Sequence, residues 1–120
     1  MDKELYDFVE ERAKVLAEAG SSKAETKAAA SDWLAAVQAD SSEEAVDKAT
    51  EALLEYLEGK PRTIDGIIGF AEGPAKDVFG EEAAAAMLEK HKARKEQGER
   101  YCDCPSCTAA SELLIRFGRA

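Results

Sequence analysis

Apolar residues recur at three- and four-residue spacing in one segment after another, and no run alternates with period two. Such spacing lines one face of a helix but falls on both faces of a strand, so it commits the chain to helices. β-Branched residues are few, which removes the remaining case for strands. The first segment runs from about Asp2 to Ala19. It carries Leu5, Phe8, Val9, Arg12, Leu16 and Ala19 on one stripe, with Gly20 placed as a left-handed stop. The second opens on Ser22-Lys23-Ala24-Glu25, a capping-box pattern, and carries Ala30, Trp33, Leu34 and Val37. The third opens on Ser41-Ser42-Glu43-Glu44, again a capping box. It carries Val46, Ala49, Leu53, Tyr56 and Leu57 and ends at Gly59-Lys60-Pro61.

The fourth segment is the least regular. Thr63 is placed to cap a short helix carrying Ile64, Ile67, Ile68 and Ala71. Gly66 and Gly69 inside it each cost about 1 kcal/mol against Ala, a cost expected to permit close helix–helix approach. Gly73-Pro74 breaks the pattern. Pro74 suits the start of another short turn, stopped at Gly80, so residues 63–79 read as either one helix or two. The fifth segment runs from Glu81 to about Gln97, with Ala84, Met87, Leu88 and His91 on one face and Gly98 as its stop. The sixth runs from Pro105 to Phe117, with Cys107, Ala110 and Leu114 on one face, flanked by Leu113 and Phe117. No repeat, low-complexity tract or long linker divides the chain. The expected fold is all-α, a compact bundle of about five or six short helices forming a single helical domain over residues 1–120.

Composition bounds the partners. With 120 residues and 45% apolar content, the chain can build one modest core. Only 7% of residues are aromatic and Ala is abundant, so that core should be thin, with helices packed through small side chains. Sixteen Lys and Arg against 25 Asp and Glu give a net charge of −9. An acidic surface repels phosphate backbones and anionic bilayers, so neither a nucleic-acid nor a membrane partner is expected. No segment approaches the roughly 20 apolar residues of a bilayer span. The start, Met1-Asp2-Lys3-Glu4-Leu5, is charged and lacks the apolar run of a secretory signal. A cytoplasmic setting is expected, in which thiols stay reduced.

Those thiols are the one chemically distinctive feature. All three cysteines fall in Cys102-Asp103-Cys104-Pro105-Ser106-Cys107. A disulfide scaffold would spread an even number of cysteines along the chain. Pro105 is the residue type favoured at the first helical position, which makes Cys104 the N-cap and puts Cys107 in the first turn, with Cys102 just outside. Exposed N–H groups and the macrodipole favour thiolates there.

Two chemistries compete for that cluster. In the first, Cys102, Cys104 and Cys107 fill three positions of a tetrahedral zinc site, or less readily three corners of an iron–sulfur cluster. His91, the only histidine, is the best candidate for the fourth ligand. The fifth segment carries the chain roughly 9 Å past it, and Gly98 to Cys104 can span more than about twice that in return. Asp103, a thiol from a second chain, or solvent are the alternatives. In the second, Cys104 and Cys107 form a thiol–disulfide redox pair. Cys104-Pro105-Ser106-Cys107 has the C-P-x-C form of thioredoxin-like oxidoreductases, without their βαβ context, and Cys102 would resolve a mixed disulfide. A third reading makes the chain a helical protein–protein interaction module, a homodimer among its forms, with the thiols as incidental small hydrophobes.

Other features point away from catalysis. Lys90, Lys92, Arg94, Lys95 and Arg100 form a basic run that could favour the thiolates or receive an acidic partner; the favoured reading is that it complements the C-terminal dipole of the fifth segment. Residues Ile64 to Gly73 are glycine-rich but lack the spacing and the preceding strand of a phosphate loop. Carboxylates are numerous but lie on polar faces, with no pair marked out for acid–base work. The non-enzymatic reading is therefore favoured, with thiol oxidoreductase as the enzymatic alternative.

Three stretches carry a family resemblance: Ile64-Asp65-Gly66 with Phe70-Ala71-Glu72, Val78-Phe79-Gly80-Glu81, and Tyr101-Cys102-Asp103-Cys104-Pro105-Ser106-Cys107. With them the whole chain resembles a family of small helical proteins of anaerobic bacteria that bear a C-terminal C-x-C-P-x-C motif. Members are sometimes named as heat-shock chaperones, but nothing in this chain resembles the ATP site of one. The resemblance implies a single compact helical domain. It also implies an anaerobic setting, in which an oxygen-sensitive cluster or a permanently reduced thiol set is tolerated.

Overall fold

Residues 1–120 are all described by the computed structural model, and they form seven α-helices and no strand. These are α1 (Lys3–Glu18), α2 (Ala24–Ala39), α3 (Glu43–Leu57), α4 (Ile64–Glu72), α5 (Pro74–Phe79), α6 (Glu81–Glu96) and α7 (Pro105–Arg116). The all-α fold is as the periodicity indicates. The helices number seven because residues 63–79 form two. Gly73, at φ −135° and ψ −90°, ends α4 and caps α5, and Pro74 opens α5, where its missing N–H has no partner to lose.

Local chemistry sets most of the helix starts. Asp2 Oδ1 accepts the Leu5 N–H at 2.8 Å and Thr63 Oγ1 accepts the Gly66 N–H at 3.1 Å. Ser42 Oγ accepts the Ala45 N–H at 3.3 Å. The Ser42 N–H in turn donates to Asp40 Oδ1 at 3.0 Å, which holds that carboxyl below the usual carboxylate range. Helix α2 departs from expectation. Its N-cap is Lys23, with no side-chain cap, because Ser22 is buried and donates its hydroxyl to Ser106 Oγ at 2.9 Å. A buried hydroxyl needs a partner more than an exposed helix end needs a cap. Gly20 is not a left-handed stop either: α1 ends on Ala19 in extended conformation, whereas Gly59 and Gly98, after α3 and α6, do take positive φ. Nor do Gly66 and Gly69 admit a neighbouring helix. A Cβ on Gly66 would lie 3.1 Å from Thr63 Oγ1, and one on Gly69 would meet nothing within 4 Å. Gly66 makes room for the cap of its own helix.

By its internal contacts the chain gathers into two compact units, Met1–Pro61 with Asp103–Ala120, and Arg62–Cys102. In the first, α1 packs on α2 and α7, α2 packs on α3, and α7 reaches α3. Its core joins Val9, Ala13 and Leu16 to Trp33 and Val37, to Leu53, Leu54 and Leu57, and to Ala110, Leu113 and Leu114. Each large side chain buried there contributes about 1.5–3 kcal/mol. Trp33 Nε1–H donates to Thr50 Oγ1 at 2.9 Å. The far end of the first unit is tied down by Arg119, which pairs with Glu58 at 2.8 Å and with Glu51.

The second unit holds α4, α5 and α6 and buries Ile64, Ile67, Ala71, Ala75, Ala84 and His91. A single antiparallel bridge pairs Thr63 with Tyr101. It is framed by Ile64 N–H to Arg100 C=O and by Cys102 N–H to Arg62 C=O, both at 2.9 Å. Lys95 reaches from α6 to Asp65 at 2.6 Å. No helix of the chain is long and apolar enough to cross a membrane.

Candidate metal centre

The cysteine segment is held at both ends by backbone and side-chain bonds. At its start, the Cys102 N–H is fixed on Arg62 C=O, and the Tyr101 carbonyl accepts from Arg94 Nη2 at 3.0 Å. At its end, α7 begins at Pro105, and its first turn is anchored to the turn between α1 and α2. The Ser106 N–H donates to Ser21 Oγ at 3.2 Å, and Ser106 Oγ accepts from Ser22. Cys104 is the N-cap of α7, extended at φ −66° and ψ 152°, and its Sγ accepts the Cys107 N–H at 3.3 Å. Pro105 pre-sets the helical φ and Cys104 supplies the cap, as the C-P-x-C spacing indicates.

This geometry brings the three sulfurs together. The Sγ atoms of Cys102, Cys104 and Cys107 all lie within 4.8 Å of one another, and each residue is half-buried. None is in a disulfide. Thiolates sharing one tetrahedral zinc, with Zn–S near 2.3 Å, stand about 3.8 Å apart. A closure of about 1 Å at most therefore converges the three on one ion, within the reach of small rotamer adjustments. The start of α7 favours the charged ligands such an ion needs, since the first turn of a helix carries roughly half a positive charge.

His91 lies on α6 and is 5% exposed. It is not part of the three-sulfur group. Its Nδ1 is 3.1 Å from Arg94 Nη1. A guanidinium only donates, so Nδ1 must accept, which places the ring proton of the neutral imidazole on Nε2. A histidine that binds metal through Nε2 instead carries its proton on Nδ1 and donates it outward. The basic run is engaged largely within its own surroundings. Arg94 serves His91, Tyr101 C=O and, at 3.7 Å, Glu99; Lys95 serves Asp65; and Arg100 lies over the Tyr101 ring at 5.3 Å.

Sequence reasoning missed the groups that hold this segment: Ser21, Ser22, Arg62 and Arg94. Ser22 and Ser106 are 84 residues apart, and no local pattern marks a pair at that separation. Arg62 acts through its carbonyl, which every residue has. Comparison with protein-family models, curated proteins and solved structures gives no match to this chain. The functional reading therefore stands on the geometry of the cysteines.

Proposed function

We propose that this chain is a small, non-enzymatic metal-binding protein of the cytoplasm, in which Cys102, Cys104 and Cys107 hold one zinc ion as thiolates. The observation that carries the reading is the mutual approach of the three sulfurs to within 4.8 Å. It favours a single ion over an iron–sulfur cluster, whose thiolates bind different irons and stand further apart than ligands of one metal. We leave His91 out of the ligand set, because taking the ion on Nε2 would require its proton to move to Nδ1 and the Arg94 bond to break. Solvent fills the fourth position. A three-thiolate set with one solvent position suits an ion that is exchanged with other ligands better than one locked in place. The net charge of −9 adds a field that attracts cations and repels nucleic acid.

Metal analysis of protein purified without a histidine tag and without oxygen tests this. The expected result is about one zinc per chain, lost in Cys104→Ala and retained in His91→Gln. Iron in place of zinc would move the site to a cluster. Protein that stays metal-free after incubation with a zinc salt, yet cycles a Cys104–Cys107 disulfide, would move it to thiol redox chemistry. Zinc lost in His91→Gln, with the helical signal unchanged, would restore His91 as a ligand.

A further inference from the structure

All three sulfurs lie within 4.8 Å of one another, and two of their residues are also joined through a backbone N–H. Cys104 caps α7 with its own sulfur, and the N–H it accepts belongs to Cys107, at 3.3 Å. That bond draws Cys104 Sγ over the first turn and against the backbone of the residue whose thiol lies within 4.8 Å of it. Neither residue is in a disulfide, and both are half-buried rather than sealed. Cys102 differs in its backbone. Its N–H is held by Arg62 C=O beside the Thr63–Tyr101 bridge, ahead of the first residue of α7.

We propose that Cys104 and Cys107 carry out thiol–disulfide exchange with small disulfides, and that this exchange releases the zinc. This rests on the reading above that the three thiolates hold the ion. In the first step Cys104 thiolate attacks one sulfur of the disulfide R–S–S–R. A Cys104–S–S–R bond forms and one RS⁻ leaves. In the second step Cys107 thiolate attacks the Cys104 sulfur, forming the Cys104–Cys107 bond and expelling the second RS⁻. Two cysteine thiolates have lost two electrons, and the small disulfide has gained them as two thiolates, which take up protons from water. Bonded sulfurs lie about 2.05 Å apart and no longer carry the charge that binds a cation. Cys102 alone cannot retain zinc, so Zn²⁺ leaves to solvent. A reduced small thiol in excess reverses both steps and restores the site.

The test uses the whole chain, loaded with one equivalent of zinc under argon and then treated with excess oxidised glutathione. Released zinc is followed with a chelating dye and the cross-link is placed by peptide mapping. The expected result is one zinc released for each Cys104–Cys107 disulfide formed, with zinc taken up again after dithiothreitol treatment and removal of the reductant. In Cys107→Ser the second step is blocked, and Cys104 should accumulate as a stable glutathione adduct. Zinc that stays bound once the disulfide has formed would overturn the proposal, as would a cross-link made through Cys102 or a wild-type protein that stops at glutathione adducts. Failure of zinc to load before the oxidant is added would instead overturn the metal reading itself. The far-UV helical signal of each variant, recorded before treatment, separates these outcomes from misfolding.

Discussion

At Trp33 a ring that is only 2% exposed still carries an N–H that must find an acceptor, and it finds the hydroxyl of Thr50 at 2.9 Å. Thr50 is itself 3% exposed, so neither partner can turn to water instead. The contact matters less for what the bond adds than for what its loss leaves behind, a buried donor without an acceptor. Thr50→Val keeps the side-chain shape and removes only the hydroxyl. The expected cost is about 1–3 kcal/mol, read as a lower urea midpoint at unchanged slope. A loss below about 0.5 kcal/mol would show that the indole N–H is satisfied in some other way. Thr26 and Tyr56, joined at 3.0 Å between α2 and α3, follow the same logic at a less buried site.

At the scale of elements, α4 separates two effects that the sequence presents as one. Gly66 and Gly69 both interrupt a helix, and both carry the propensity cost of glycine. Their surroundings differ: a methyl at Gly69 meets open space, whereas one at Gly66 crowds the Thr63 hydroxyl that caps the helix. Gly69→Ala should therefore stabilise the protein by about 0.5–1 kcal/mol. Gly66→Ala should gain less or lose, because the cap must shift. Thermal melts of the two variants test the contrast, and equal gains would mean that the cap is dispensable. The same element shows what a sequence reveals. The Thr63 cap, the Gly73-Pro74 break and the Cys104 N-cap were legible because each is settled by residues within one turn of itself. Ser22 was misread as a cap because its partner arrives from 84 residues away. Gly20 was misread as a stop because Ala19 leaves the helix in an extended conformation, which any residue adopts. The cysteine cluster was legible as a cluster, since its three residues are local in the chain.

For the whole molecule, the division into two units left no trace in composition. The chain leaves the first unit after Pro61 and re-enters it at Asp103, and no linker marks either crossing. The units differ in how much they bury. The first closes on Trp33, Leu16, Leu57, Leu113 and Val9, the largest fully enclosed side chains of the chain. Among its buried side chains the second has only Ile64 and Ile67 as large aliphatics, with alanines and His91 for the rest, and it leaves Val78 and Phe79 65% and 54% exposed. Hydrophobic stabilisation scales with the apolar area removed from water, so α4 to α6 should open at lower free energy than α1 to α3 and α7. The chain offers a direct probe, because its one tryptophan lies in the first unit. On warming, far-UV ellipticity should begin to fall below the temperature at which Trp33 emission shifts, and amides of α4 to α6 should exchange faster than those of α1. Coincident transitions by both probes would mean that the smaller core does not unfold on its own and that the chain melts as one cooperative body.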